Sequence, residues 1–216
     1  MAGDASSVLP PLACSRPDAS SGPTIQGSVA GASIRSAVAR GQCRRGEARA
    51  DGRVSLDTAG LGYSRVATLL NSGNAVFHAT SGTPGRYAAS IAAALAGHLK
   101  LDVPVIVKSA RELATIVAES PIKAEPPNHS RLLVAFVQQP KALAGLASIE
   151  RLVAPPEKFA IGSQAAYLFC ATGILESKAC NALFGKAGQQ ATTRNWATVL
   201  KLQALAAAHD GIRHAQ

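Results

Sequence analysis

Three observations predict an α+β protein from the 216-residue sequence. From Gly60 onward, short β-prone runs alternate with helical apolar stripes. The residues from 131 on read β-α-β-β-α, followed by a short extended piece and a last helix. The first 59 residues carry no aliphatic periodicity at all. The second half so read is an α/β plait, the ferredoxin-like unit. The first half reads β-β-α-β and lacks the leading strand and helix of the same unit. The prediction is therefore two α/β-plait (ferredoxin-like) subdomains, the first incomplete, behind a disordered N-terminal tail. The boundaries fall at 1–59 for the tail, 60–120 for the first plait, 121–130 for a linker and 131–216 for the second plait.

Each element has a local reason. Residues 66–70 and 75–79 are β-type runs around N-S-G-N, a turn tetrapeptide that predicts a hairpin. Thr83-Pro84 opens a helix, with Thr83 as N-cap and Pro84 in the first turn. Tyr87, Ile91, Leu95 and Leu99 step by four along one face of it. Residues 103–108 form a strand, and Pro104 places it at an edge or at its own start. Ser109 caps a helix whose stripe is Leu113, Ile116 and Val117, and Ser120-Pro121 ends it. Pro126-Pro127 lies in the linker.

In the second half, residues 132–137 form a strand and Pro140 starts a short helix with Leu143, Leu146 and Ile149 inward. Residues 158–161 and 165–170 make a second hairpin around Gly162-Ser163. A helix spans about 177–186, an extended piece 191–193, and a final helix about 195–208 with Val199, Leu202 and Leu205 inward.

Composition excludes several functions. At 47% hydrophobic the chain buries a core, so it is not disordered as a whole. Aromatic residues are 4%, with one Trp and three Tyr, too few for a stacking platform on single-stranded nucleic acid. The net charge is +9, but the basic residues are scattered singly, which is a poor footprint for nucleic acid. No apolar run reaches the roughly 18 residues of a membrane span. There is no C-x-x-C, no histidine pair at i, i+4, and no metal constellation. Cys170 lies in an apolar run and reads as a buried thiol. No cofactor is indicated. The start MAGDASS lacks the basic and apolar regions of a secretory signal, which points to the cytoplasm.

Three segments carry a resemblance: LLNSGNAVF at 69–77, GILESKACNALFGK at 173–186, and ATTRNWATVLKLQAL at 191–205. Together they resemble the bacterial domain of unknown function 1697 family over about residues 60–208. The resemblance implies a soluble bacterial protein of two plaits. The activity of that family is not established, so it implies a fold more than a reaction.

The family also opens with a strand and a motif like L-L-R-G-[IV]-N-V-G-G, then a helix, and this chain has no such motif. Residues 36–60, SAVARGQCRRGEARADGRVSLDTAG, back-translated with a one-base shift, permit PLLRGVNVGGAKRVPMAEFRSILL. The whole run conforms to the family pattern, which chance does not supply. The expectation is that residues before about Ala59 are out-of-frame translation and that the frame is regained near Gly60. The first plait would then lack its leading strand, its helix and a Gly-rich, Arg-containing turn suited to anions. Its apolar surface would be uncovered and the fold poorly stable.

The candidate site residues are the polar ones in the three segments. Ser72 and Asn74 flank Gly73, where turn chemistry is the simpler reading. Lys178 and Asn181 share a helix face behind Ser177, a natural cap, and are suited to an anionic ligand. Thr193, Arg194, Asn195 and Trp196 form the sharpest block. Arg194 suits a carboxylate or phosphate, Asn195 or Thr193 suits a helix cap, and Trp196 suits packing between plaits. No nucleophile–base pair, Walker loop or Rossmann fingerprint is present. Two functions remain: a module binding a small anionic ligand or a partner, or an enzyme acting on a small phosphate- or carboxylate-bearing substrate.

Overall fold

The computed structural model describes residues 28–32, 63–69, 73–99 and 104–211. The predicted hairpin forms from β2 (Ser64–Leu69) and β3 (Asn74–His78), turning through Gly73 at φ +67°. Every residue of β3 is buried, as a strand covered on both faces requires. Helix α1 (Pro84–Leu99) follows, and the Thr83 hydroxyl accepts from the Arg86 amide at 3.4 Å. Tyr87, Ile91 and Leu95 of α1 are buried against Phe77. Strand β4 (Val105–Ser109) begins directly after Pro104 and is an edge strand.

Ser109 ends β4 and starts helix α2 (Ala110–Ala118) through a capping box. Its hydroxyl accepts from the Glu112 amide at 3.2 Å, and the Glu112 carboxylate accepts from the Ser109 amide at 2.7 Å.

The second sheet holds β5 (Leu132–Val137), β6 (Lys158–Ile161), β7 (Ala165–Phe169) and β8 (Ala191–Asn195). Helix α3 (Lys178–Phe184) precedes β8, and α4 (Trp196–Gly211) follows it. The short helix predicted at Pro140 is a run of 3-10 turns, Pro140–Leu152. Its buried Leu143, Leu146 and Ile149 step by three, which suits a helix of three residues per turn.

Both sheets are antiparallel, ordered β2-β3-β1-β4 and β6-β7-β5-β8. The strand β1 (Ser28–Ala32) corrects an expectation. The sequence predicts no strand before Gly60 and a first sheet without its leading strand. Instead β1 pairs with β3 on one side and β4 on the other, with Gly31 opposite both Asn74 and Ile106. The reason is non-local: the facing edges of β3 and β4 each present backbone N–H and C=O groups, and one strand between them satisfies both rows. The remainder of the predicted tail lies outside the described residues.

Among the described residues, apolar side chains gather in three clusters. One lies between the first sheet and α1, and one between the second sheet, α3 and the 3-10 turns. The third is shared. Val76 and Ile106 of the first sheet meet Val134, Phe136 and Tyr167 of the second, with Leu113 of α2 and Leu202 of α4 in the same core. Alternation along each strand explains this division, since residues 76 and 106 face one way and 77, 105 and 107 the other. No helix among the described residues is long and apolar enough to cross a membrane.

Candidate functional site

Strand alternation aims four polar side chains into the shared core. Asn74 and Lys108 come from the first sheet, on the faces that carry Val76 and Ile106. Thr192 and Arg194 come from β8, opposite Phe136 and Val134. Asn74, Lys108 and Thr192 are 1%, 3% and 2% exposed. Groups so deeply buried require polar partners, and the structure supplies them.

Arg194 Nε donates to Asn74 Oδ1 at 2.5 Å, joining the two sheets. Its Nη1 donates to Thr192 Oγ1 at 3.0 Å and to the Thr193 carbonyl at 2.8 Å. Burial pulls the Arg194 pKa below its ordinary value. The Asn74 amide nitrogen donates to the Leu69 carbonyl at 3.3 Å, so Asn74 also closes its own hairpin. Lys108 Nζ donates to Gln164 Oε1 at 3.2 Å and lies 3.7 Å from Glu112 Oε1. Burial lowers the Lys108 pKa, and the Glu112 carboxylate opposes that shift. These residues line a cavity of about 20 Å³, walled by Leu113 and Phe136. That is room for one water-sized group.

Other polar ties run between the halves. The Gln138 side-chain amide pairs with both backbone groups of Val107, at 2.9 and 3.2 Å, capping the open edge of β4. Tyr167 donates to the Ile116 carbonyl at 2.6 Å, and Ser163 Oγ to Glu119 at 2.6 Å.

The remaining candidates divide. Asn195 accepts from the Thr198 amide at 2.9 Å and caps α4, while Trp196 packs against the shared core. Ser177 caps α3 by accepting from the Cys180 amide at 3.0 Å. Lys178 and Asn181 are exposed on α3, whose buried side packs on the opposite face of the second sheet from Arg194. The structure thus brings Asn74 and Arg194 together and keeps Lys178 and Asn181 apart from them. Ser72 lies outside the described residues. Cys170 is buried and free, as is Cys180. Among the described residues no group of three His, Cys, Asp or Glu gathers to hold a metal.

Lys108, Thr192 and Gln164 are not among the residues the sequence singles out. A signal for Lys108 exists: V-I-V-K-S is apolar on both faces, so a lysine in register with Ile106 must point into a core.

The sequence model of the family described as "Protein of unknown function (DUF1697)" matches residues 56–167, more than half of the chain. The chain belongs to that family. The match includes the S-G-N hairpin and ends before the two later segments. A search of curated proteins finds no match. Among solved structures, the chain is similar to the conserved bacterial protein SP0830 from Streptococcus pneumoniae. The TM-score is 0.62 at 14% identity, covering 83% of this chain and 98% of that one. At that identity the similarity speaks for the fold of this DUF1697 chain and for nothing finer.

Proposed function

We propose that this chain is a binding module whose inter-sheet cavity admits one oxygen of the carboxylate or phosphate head of a small ligand, the rest of the head staying outside it. One observation carries the reading: Arg194 and Lys108, on different sheets, line the same cavity with Asn74 and Thr192. An oxyanion is a stronger partner for a guanidinium than a neutral oxygen, roughly twice as strong per bond, and exchange of Asn74 or Thr192 for a ligand oxygen is the binding step. The alternative, an enzyme on a small anionic substrate, needs a nucleophile and a base. The cleft residues described here supply donors and acceptors without that pair.

The same proposal holds the second half, 131–216, to be an α/β plait, and the first to be a plait that 60–120 alone leaves incomplete and β1 completes, the two joined by 121–130. The strand order β2-β3-β1-β4 repeated as β6-β7-β5-β8 supports it. Free thiols at Cys170 and Cys180 fit a reducing cytoplasm. A shifted reading frame before about Ala59 is a separate proposal: the family match begins at residue 56, near the point where the frame would be regained. Sequencing the gene across codons 30–62 decides that point: an inserted or deleted base upholds it, and an intact frame refutes it.

The ligand proposal is tested by titrating acetate and inorganic phosphate while following Trp196, the chain's one tryptophan. A saturable change that Lys108→Met weakens supports the cleft. A flat response in the unmodified protein refutes it.

A further inference from the structure

A second polar cavity lies on the far side of the first sheet. It measures about 320 Å³ and is lined by Tyr63, the loop 79–82 and residues Arg86, Tyr87 and Ser90 of α1. That volume suits a small metabolite. The shared-core cleft opens on the other face of β3, so the two are separate.

The groove is stiff. Tyr87 Oη donates to the Ser81 carbonyl at 2.5 Å, pinning the loop to the helix. Gly82 sits at φ +133°, and a Cβ there would lie 2.8 Å from Tyr87 Oη. The tight approach of loop and ring needs a glycine in that conformation. Tyr63 stacks on Phe77 with ring centroids 4.5 Å apart and meets Tyr87 edge-on at 5.5 Å. The groove's floor is therefore a fixed aromatic cluster.

Its chemistry is one-sided. Thr80, Ser81 and Ser90 bring hydroxyls, Arg86 brings a guanidinium, and none of the lining residues is acidic. Burial raises the pKa of both Tyr63 and Tyr87. A guanidinium pairs best with an oxyanion, and hydroxyls on a rigid frame pair with other hydroxyls.

We propose that this groove binds a small phosphorylated polyol, its phosphate on Arg86 and its hydroxyls on Thr80, Ser81 and Ser90. The inference is independent of the inter-sheet cleft.

The test is calorimetric titration of the full chain with glycerol phosphate, inorganic phosphate and glycerol, alongside nitrogen-15 NMR. Glycerol phosphate binds more tightly than phosphate, and glycerol alone does not bind. Amide signals of residues 80–90 shift with glycerol phosphate, whatever the Trp196 indole signal does. Arg86→Ala weakens binding by about tenfold or more, and Arg111→Ala, an exposed cation outside both cavities, leaves it unchanged. Absence of binding overturns the proposal, as does equal binding by Arg86→Ala or equal loss with Arg111→Ala. A shift confined to Trp196 places the ligand in the cleft and also overturns it.

Discussion

Arg194 Nε and Asn74 Oδ1 meet at 2.5 Å, although 120 residues separate them in the chain. The bond ties the first residue of β3 to the edge strand of the other sheet. Both groups are buried or half-buried, so removing one takes a partner from the other, while Arg194 keeps Thr192 and the Thr193 carbonyl and Asn74 keeps the Leu69 carbonyl. Asn74→Ala and Arg194→Ala should each destabilise the fold by about 1–3 kcal/mol. In urea denaturation the double variant should lose less than the sum, with a coupling energy of about 1 kcal/mol or more. Additive losses would show that the pair does not act as a unit.

Tyr167 makes a second link, from β7 to α2. Burial and the nearby Glu119 carboxylate push its pKa up to about 12. A raised pKa means that the native state holds the proton longer than the unfolded chain. The stability is complete below pH 10, the ordinary tyrosine value, and is lost as pH rises from there through about 12. Absorbance titration should show this tyrosine ionising last, and Tyr167→Phe should remove that step. The variant also orphans the Ile116 carbonyl and should cost about 1–3 kcal/mol in denaturant.

The α2 capping box gives a third expectation. Ser109→Ala removes the hydroxyl and should cost about 1 kcal/mol. Glu112→Ala should cost more, because Glu112 also faces the buried ammonium of Lys108 at 3.7 Å. Thermal melts of the two variants check the order. Equal losses would mean that the ion pair contributes nothing.

The shared core predicts how the molecule unfolds. Leu113, Tyr167 and Leu202 lie in one cluster that both sheets cover. Melting followed by circular dichroism and by Trp196 fluorescence should give coincident transitions. Leu113→Ala should lower both together by about 2–5 kcal/mol. Two separated transitions would mean that the halves fold alone.

Much of this was legible in the sequence because it is local. The caps at Thr83, Ser109, Ser177 and Asn195 follow from one polar side chain ahead of an apolar stripe. The hairpins follow from turn residues between β-type runs. What was missed is non-local. β1 is the five-residue segment SVAGA, with no alternation to mark it, and only the strands on either side define it. The cleft is also assembled across the chain. Lys108 and Gln164 lie 56 residues apart, and no spacing rule brings them together. Lys178 showed the converse: a motif can be shared along the sequence yet face another side of the sheet.

In the proposed binding mode the Arg194 guanidinium holds an oxyanion oxygen in the cleft. Arg194→Lys keeps the charge and removes the planar fork, so it separates geometry from net charge. Calorimetric titration with acetate of the unmodified chain and of this variant is the direct measurement, with circular dichroism to show that both are folded. The unmodified chain should bind, and the variant's affinity should be lower by about tenfold or more. Equal affinity in the two, or no binding by the unmodified chain, would contradict that binding mode.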